Sequence, residues 1–292
     1  MATQIWKFNV DSSEESLRLD QLISVHTGLS RRKARAVLQM GGVQVARKRV
    51  RVAGRTLGSG AEVLVAFDDS LGTPPDCQVP VLFEDDWLLV VDKPAGMASQ
   101  GTQASDLHDL TALLQRQRPD QTLALQHRLD QGTSGILVIA KHASAHLGAQ
   151  FQARTISKTY LARVSGPLEG CTVDLPIGKM RSGPPTRYGC SGDLIEPRPS
   201  CTDFRPATTE ETAGFLPGFW VVAEPRTGRT HQIRVHLAHL GLPVLGDGFY
   251  HGEKSDQLWL HAWKLVMEHP VTGAELTLTA PPLRFMVPAP RP

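Results

Sequence analysis

The stretch that decides the fold lies at residues 127–135 and reads His127-Arg128-Leu129-Asp130-Gln131-Gly132-Thr133-Ser134-Gly135. An apolar run over residues 136–140 follows at once and predicts a buried strand. An acid on a polar, glycine-rich turn at the start of such a strand is placed to meet a ligand. The arginine two residues before the acid can neutralise an anion such as a phosphate. Asp130 is therefore the first candidate site residue, and a simple turn-capping role is the alternative.

The composition excludes several classes of protein. Of the 292 residues, 41% are hydrophobic and 21% are charged, as in an ordinary globular protein. No apolar run reaches the roughly 18 residues of a membrane helix, and the N-terminus lacks the layout of a signal peptide. The four cysteines show no Cys-x-x-Cys spacing. We therefore expect neither a zinc site nor a disulfide framework, and a reducing, cytoplasmic setting.

The charge is distributed unevenly along the chain. Residues 1–67 carry 11 Lys and Arg against 5 Asp and Glu, a net charge of +6, and the remainder carries a net charge of −4. A small basic segment on a mildly acidic body indicates a nucleic-acid-binding appendage. A solvated charged surface is the alternative.

Residues 1–67 are predicted to form a small α/β domain. A first helix is expected at 17–23, and Ser30 is a good N-cap for a second helix from Arg31 to Met40, which Gly41 ends. Residues 43–45 and 62–65 alternate like short strands. The basic residues expected to contact nucleic acid are Arg31, Arg32, Lys33, Arg35, Arg47, Lys48 and Arg49.

A proline-rich linker is expected at 68–80, followed by a second domain over 81–292. It contains predicted strands at 87–91, 159–164 and 219–223, a helix near 143–154, and short strands with long loops over 166–216. A helix is expected from Thr230 to Leu240, with Ile233, Leu237 and Leu240 facing the core. Arg234 lies off that apolar stripe and is free to project into a cleft.

Three segments in this order resemble the RluA-type RNA pseudouridine synthases. They are Lys93-Pro94-Ala95-Gly96, the opening stretch His127 to Gly135, and Thr227-Gly228-Arg229-Thr230-His231-Gln232-Ile233-Arg234 with its continuation to Gly246-Asp247. Tyr160, Leu260-His261-Ala262 and His269-Pro270 also match. The resemblance covers residues 81–292. Residues 17–67 resemble the S-four-like RNA-binding domain, although Ala46-Arg47 stands where that domain usually has an Asn-Gly turn.

The resemblance implies an α+β protein with the pseudouridine synthase fold, that is, a mixed, mainly antiparallel central sheet flanked by helices and loops. It implies that Asp130 is the catalytic aspartate, as a nucleophile or as a base. Arg234 would be its salt-bridge partner, with Arg229 as the second candidate for this role. Tyr160 would stack on the base, and a later role as a proton acceptor stays open.

The remaining site residues are expected to contact RNA. Arg128 would fill the gap left by the flipped uridine, and Gly132 to Gly135 would let RNA approach closely. The helix start near Thr227 offers a phosphate site, or simple capping. The RNA contacts expected there are Arg229, Thr230, His231 and Gln232. Lys93 is read as part of a structural turn whose long side chain could reach RNA.

The resemblance implies an RNA pseudouridine synthase without a cofactor or metal, and a monomer is the default expectation. The partner that the resemblance implies is structured RNA, best large-subunit ribosomal RNA, with transfer RNA as the close alternative. His231, His236 and His239 lack a zinc-binding pattern, so structural roles are expected for them. A non-catalytic RNA-binding or ribosome-assembly factor of the same fold is a second class. A glycoside hydrolase is a third, disfavoured because such enzymes usually use two carboxylates.

Overall fold

The structure is a computed structural model that describes residues 3–142, 145–181 and 186–286. The chain divides into two compact units. The first comprises the described residues up to Cys77 together with Ala98–Gln121, and the second comprises Gln78–Met97 and the described residues from Thr122 onward. The expected division into 1–67, 68–80 and 81–292 therefore differs from the observed one chiefly at residues 98–121.

The first unit consists of an antiparallel sheet and three helices. Its elements are β1 (Gln4–Asn9), α1 (Leu19–Thr27), α2 (Arg31–Met40), β2 (Val43–Val45), β3 (Lys48–Arg49), β4 (Glu62–Phe67) and α3 (Leu110–Gln117). The sheet order is β1-β4-β2-β3. As predicted, Ser30 accepts a hydrogen bond from the Lys33 N–H, and Gly41 ends α2 in the left-handed conformation. Apolar side chains of α1, α2 and the sheet form the core.

The turn between β2 and β3 has the geometry of an Asn-Gly turn without either residue. Ala46 and Arg47 are its two turn residues, and their φ angles are +48° and +65°. Residues with a Cβ are strained in this left-handed region, which is why two-residue hairpin turns favour Asn-Gly. The departure from the usual Asn-Gly pair therefore keeps the turn and adds strain to it.

Residues 98–121 belong to the first unit because polar contacts join them to its β3 strand and to α2. Arg51 Nη2 lies 2.5 Å from Asp106 Oδ1, and Arg49 donates to the main-chain oxygen of Thr102 at 2.5 Å. Gly41 lies so close to Asp106 that a Cβ at this position would collide with the carboxylate. A stretch inside the expected second domain thus packs with the N-terminal residues.

The second unit contains the large sheet and two helices. Its elements are β5 (Val81–Glu84), β6 (Leu88–Lys93), β7 (Ala124–Leu125), β8 (Ser134–Ala140), α4 (Ala145–Ala153), β9 (Ser157–Val164), β10 (Cys171–Asp174), β11 (Ile177–Met180), β12 (Tyr188–Gly189), β13 (Leu194–Arg198), β14 (Cys201–Pro206), β15 (Phe219–Pro225), α5 (Gln232–His239), β16 (Leu260–Glu268) and β17 (Glu275–Thr279). The large sheet has the order β10-β14-β15-β9-β16-β8-β6-β5, with β17 beside β16 and β7 beside β8. A small sheet has the order β12-β11-β13.

The large sheet is mixed but mainly antiparallel. Among its described strand pairs, β8 and β16 run parallel and the others antiparallel. This confirms the predicted α+β class. As expected, every residue of β8 is buried. Packing at the start of this strand fixes the end of the turn that carries Asp130.

Close packing, not room for RNA, explains the glycine at the start of β8. Gly135 has a φ of +110°, and a Cβ at this position would collide with the backbone of Ala262 in β16. Next to it, Ser134 Oγ hydrogen-bonds His261 Nδ1 at 2.8 Å. A Cβ on Gly132 would likewise press on the Leu258 side chain. The expectation that these glycines admit RNA is therefore wrong at Gly135, where protein fills the space, whereas at the half-buried Gly132 it stays a prediction.

The helix α5 is shorter than expected and more buried. It begins after His231, which is its N-cap with a φ of +57°, and ends before Leu240. Ile233 and Leu237 are buried as expected, but Leu240 is 37% exposed because the chain leaves the helix there. Arg234 is buried as well. None of the helices in the described ranges has the length and apolar character that crossing a membrane requires.

Candidate active site

The carboxylate of Asp130 and the guanidinium of Arg234 form an ion pair, as predicted. Arg234 Nη1 donates to Asp130 Oδ2 at 2.9 Å, although the two residues lie 104 positions apart in the sequence. The Asp130 side chain is 25% exposed, whereas that of Arg234 is 9% exposed. The turn before β8 leaves Asp130 partly exposed to solvent, and the buried helix α5 places Arg234 next to it.

A second carboxylate, Asp247, orients the guanidinium. Arg234 donates to it from Nε at 2.6 Å and from Nη2 at 2.8 Å, which makes a bidentate pair. Burial opposes the charge of Arg234, but the bonds to Asp247 and the charge of Asp130 outweigh it and raise the pKa of Arg234. The sequence analysis named Asp247 only as part of a motif. Its role was missed because the pair depends on a loop that brings the two residues together.

Tyr160 lies on β9 and faces the same charge. Burial and the nearby negative charge of Asp130 raise the pKa of its phenol well above the ordinary value. The ring is therefore a neutral surface with an O–H donor, which suits stacking on a base. A role as proton acceptor through the phenolate form is disfavoured by the same two causes.

Lys93 stabilises the turn that carries Asp130. Its side chain is fully buried, and Nζ donates to the main-chain oxygens of Pro94 at 3.0 Å, Met97 at 2.7 Å and Gln131 at 3.3 Å. Burial lowers the pKa of Lys93 to about 7, against the opposite effect of Asp130. The expected structural role of Lys93 agrees with this position. The expected contact of its side chain with RNA does not, because the ammonium group points into the protein.

The two basic residues before Asp130 have different surroundings. His127 Nε2 accepts from the Val138 N–H at 3.1 Å, and its ring stacks on Phe151 at 5.0 Å. Burial lowers the pKa of His127 to about 3, so the ring is neutral and structural. Arg128 is exposed, and the described residues offer it no ion pair or hydrogen bond. Only Arg128 of this pair is available to RNA.

The loop before α5 is largely occupied by its own hydrogen bonds. The Gln232 side chain is 4% exposed, accepts from Thr227 Oγ1 at 2.6 Å and from the Arg229 N–H at 3.0 Å, and donates to the Cys201 carbonyl at 2.9 Å. The expectation that Gln232 contacts RNA is wrong, since its amide is buried and bonded. The N–H of Arg229 is also taken, so the expected phosphate site at the helix start loses a donor, whereas Thr230 stays half-buried.

Arg229 is not the partner of Asp130. Its Nε donates to the Pro199 carbonyl at 3.0 Å, and its charge lies near those of Arg154 and Arg198. Lys158 lies close to the same loop, since its Nζ is 3.9 Å from the position that a Cβ would occupy on Gly228. Burial and Arg154 lower the pKa of Lys158. The described residues offer Lys158 no carboxylate partner. The sequence analysis gave this lysine no role.

His236 is held by the protein itself. Its ring nitrogens hydrogen-bond Thr202 Oγ1 at 2.9 Å and Ser200 Oγ at 3.2 Å, and the residue is fully buried. This is the structural role that was expected. Within the described ranges, no three His, Cys, Asp or Glu side chains gather as metal ligands.

The basic residues of the first unit fall into two groups. Asp20 is fully buried and pairs with Arg35 at 2.7 Å and Arg31 at 3.2 Å. Burial opposes ionisation of Asp20, but the bonds from these arginines outweigh it and lower its pKa. Lys33 lies 3.4 Å from Asp69. The exposed residues to which the described structure gives no such partner are Arg32, Arg47 and Lys48.

Arg31, Arg35 and Arg49 thus have structural partners that the sequence did not reveal. Arg49 contacts Asp106 and two main-chain oxygens, those of Gly41 and Thr102. These arginines retain charge near the surface, but their geometry is set by the protein. Arg32, Arg47 and Lys48 are the better candidates for direct phosphate contacts.

The mixed sheet and the partly exposed aspartate held by a buried arginine agree with an enzyme of the pseudouridine synthase class. Residues 87–239 match the family described as RNA pseudouridylate synthase, and the chain belongs to this family. It is 39% identical to the dual-specificity RNA pseudouridine synthase RluA of Vibrio parahaemolyticus over 206 residues, which cover 68% of this chain and 80% of that protein. It is 31% identical to the ribosomal large subunit pseudouridine synthase C of Vibrio cholerae over 96% of this chain and 94% of that protein.

A solved structure supports the same assignment. Human RNA pseudouridylate synthase domain containing 1 superposes with a TM-score of 0.58 and 28% sequence identity, over 72% of this chain and 86% of that chain. These findings confirm the predicted RluA-type family and the predicted isomerase activity on RNA.

Proposed function

We propose that this chain converts uridine to pseudouridine in large-subunit ribosomal RNA, with Asp130 as its catalytic residue. The observation that carries the catalytic assignment is the network of Asp130, Arg234 and Asp247, in which one carboxylate stays partly exposed while the other fixes the arginine. Isomerisation breaks the bond between the base and the ribose, turns the base, and rejoins it through carbon. All atoms of the nucleoside are kept, so the reaction consumes no redox equivalent.

Asp130 has two roles open to it in this reaction. Its carboxylate can attack the nucleoside as a nucleophile, or it can remove a proton from the sugar as a base. Both roles need an accessible carboxylate oxygen of fixed orientation, and both transfer negative charge away from the carboxylate. Arg234 supplies the orientation, and the neutral ring of Tyr160 offers the flipped uridine a stacking surface.

The RNA backbone is bound by cations that the protein does not neutralise. Arg128 lies two residues before the catalytic acid, and Lys158 lies two residues before Tyr160 on the same face of β9. A partly buried ammonium group without a carboxylate partner favours an anionic ligand, because the negative charge of the ligand compensates for the loss of hydration. We assign to Lys158, Arg128 and Arg229 the phosphates beside the target uridine.

Ribosomal RNA is favoured over transfer RNA by the extent of the similarity. The relative named for the large ribosomal subunit aligns with 96% of this chain, including the basic first unit, whereas the dual-specificity relative aligns with 68%. We infer that the first unit is an S-four-like RNA-binding domain that contributes to substrate choice. A monomer working in the cytoplasm fits this role.

Mapping of pseudouridines in total cellular RNA tests the proposal. A strain without this protein should lose at least one pseudouridine in large-subunit ribosomal RNA, and the wild-type protein should restore it. Asp130→Asn should not restore it, although the variant should bind RNA as the wild type does. Loss in transfer RNA alone would move the substrate to the alternative, and full restoration by Asp130→Asn would remove Asp130 from the catalytic role.

A further inference from the structure

His231 lies beside the catalytic carboxylate in an enclosed position. Its Nε2 is 3.8 Å from Asp130 Oδ2, and its side chain is 18% exposed. The ring meets three aromatic rings edge-on, with centroid distances of 5.6–5.9 Å to Tyr188, Phe249 and Tyr250. Its backbone is held in the left-handed conformation at the start of α5. Such strain in a residue with a Cβ is typically found at functional sites.

Tyr250 decides which ring nitrogen of His231 carries the proton. The phenolic oxygen lies 2.8 Å from His231 Nδ1. Burial raises the pKa of Tyr250 to about 12, so the phenol keeps its proton and can donate it to Nδ1. The carboxylate of Asp130 on the other side of the ring can only accept, which also favours hydrogen at Nε2. Burial lowers the pKa of His231 despite the charge of Asp130, so the ring is neutral. A neutral ring that accepts at Nδ1 carries its hydrogen at Nε2, the nitrogen nearest Asp130.

Both neighbours of the catalytic carboxylate approach the same oxygen. Arg234 donates to Asp130 Oδ2 at 2.9 Å, and His231 Nε2 faces that atom as well. The described structure gives Oδ1 no hydrogen-bond partner. Oδ2 is thus the oxygen that the protein holds, and Oδ1 is the oxygen left for the uridine.

We propose that His231 is a positioning residue that donates from Nε2 to Asp130 Oδ2 when RNA is bound, and so presents Oδ1 to the substrate. The inference rests on the proposed catalytic role of Asp130. The present 3.8 Å exceeds a hydrogen bond, and a movement of about 1 Å closes it. Catalytic hydrogen bonds are often long in the free enzyme and tighten in the complex. The expected direct contact of His231 with RNA is replaced by this role, since Nδ1 and the ring edges face the protein.

Two amide substitutions separate the proposed hydrogen bond from backbone strain. The amide nitrogen of His231→Gln falls near the position of Nε2, whereas that of His231→Asn falls near Nδ1. Asn tolerates the left-handed backbone better than Gln does. If backbone strain were the function of His231, Asn would therefore be the better replacement. If the donor to Asp130 is its function, Gln is the better one.

The readout is the single-turnover rate constant with RNA saturated by enzyme, measured beside the Kd for RNA. His231→Asn should slow the rate about 10- to 100-fold, the range of one hydrogen bond to a charged group, and His231→Gln should recover most of the loss. The Kd should stay within about threefold for both variants, because the lost bond does not involve RNA. Tyr250→Phe should slow the enzyme as well, and should have little further effect when added to His231→Gln, which has no tautomer to fix.

Equal losses in the Gln and Asn variants, or a loss confined to the Kd, would overturn the inference. Asp130→Asn, measured in parallel, keeps the two proposals apart. If Asp130→Asn is active, the proposed catalytic role of Asp130 is wrong. If Asp130→Asn is inactive and His231→Asn turns over at the wild-type rate, only the proposed positioning role of His231 is wrong. Melting temperatures identify a variant that does not fold, and Tyr250→Phe still tests the inference in that case.

Discussion

At the residue scale, the site depends on how one guanidinium is shared. Arg234 gives Asp247 two parallel hydrogen bonds and gives Asp130 one. The bidentate pair fixes the plane of the guanidinium, so the remaining N–H group has a set direction toward Asp130. Two carboxylates around one cation leave a net negative charge, which remains with the partly exposed Asp130. Asp247 therefore orients Asp130 through Arg234, although it is itself shielded from solvent.

Replacing Asp247 should damage both stability and activity. Asp247→Asn removes the charge that compensates the buried Arg234, and breaking a buried pair in this way costs about 3 kcal/mol. The single-turnover rate should fall about 100-fold, because a misplacement of the catalytic group on the order of 1 Å has an effect of this size. Urea unfolding and single-turnover kinetics measure the two effects.

A matched control uses the pair of Arg226 and Asp203, which has similar bidentate geometry but lies at the surface. Asp203→Asn should leave both stability and rate nearly unchanged, because exposed ion pairs contribute little. Equal effects of the two substitutions would show that burial of the Arg234 pair is not what gives it importance.

Lys93 should give the protein a specific dependence of stability on pH. Its pKa is about 7 in the folded protein and about 10.4 in an unfolded chain. Between these values the unfolded chain holds the proton and the folded protein does not, so the free energy of unfolding should rise with pH. The destabilising contribution is fully present below pH 7. The free energy of unfolding of the wild type, measured with urea relative to that of Lys93→Met, should rise by up to about 1.4 kcal/mol per pH unit from pH 7.5 to 9.5. A difference that stays flat over this range would place the proton elsewhere.

Some site residues could be predicted from the sequence, and others depended on tertiary structure. The motifs around Asp130 and Arg234 predicted their pairing, which the structure contains. Gln232 was misassigned because a polar residue near a helix start has the same appearance in the sequence whether it faces RNA or the protein. Asp247 and Tyr250 gained their roles only through the loop after α5, whose path follows from packing and not from local propensity.

At the element scale, strands were easier to predict than the ends of helices. The apolar run of β8 marked a buried strand because the strand is buried on both sides. Gly241 follows the C-cap of α5 in the left-handed conformation that ends many helices, but Leu240, which was expected in the core, is 37% exposed. The glycines of the opening stretch were assigned to RNA, whereas Gly135 serves the close approach of β8 and β16. Such an approach between strands distant in sequence leaves no local signal.

The hairpin turn between β2 and β3 combines backbone strain with an exposed cation, Arg47. Arg47 has a positive φ, which costs about 1 kcal/mol relative to glycine. Arg47→Gly should therefore raise the free energy of unfolding and weaken RNA binding, because it relieves strain but removes an exposed cation. Ala46→Asn is the matched control. It should stabilise the same turn without changing RNA affinity, since Asn favours this conformation. Urea unfolding and RNA titration at fixed salt compare the variants, and unchanged affinity of Arg47→Gly would exclude Arg47 from the RNA contacts.

At the scale of the whole molecule, the charge asymmetry of the sequence predicts an RNA-binding first unit, and the division into domains was only partly predictable. Linker composition at 68–80 placed one boundary near the observed Cys77. The grouping of residues 98–121 with the first unit follows from contacts of Asp106 with Arg49 and Arg51, which span more than fifty positions in the sequence. A truncation that removes only 1–67 would therefore strip these contacts from a segment left behind. Point substitutions test the first unit more cleanly than deletion.

The exposed cations of the first unit should account for part of the salt dependence of RNA binding. Each phosphate contact to single-stranded RNA contributes about 0.7 to the slope of log K against log salt, and each contact to a duplex contributes about 0.9. Replacing Arg32, Arg47 and Lys48 together with Gln should lower the slope by about 2 and weaken binding most at low salt.

Lys7→Gln removes an exposed cation from β1 of the same unit and should leave the slope unchanged. Arg35→Gln should instead lower the melting temperature, because it leaves the buried Asp20 with fewer partners. A triple variant with the wild-type slope would show that the first unit binds through shape or through its paired arginines, and would separate its charge from substrate choice.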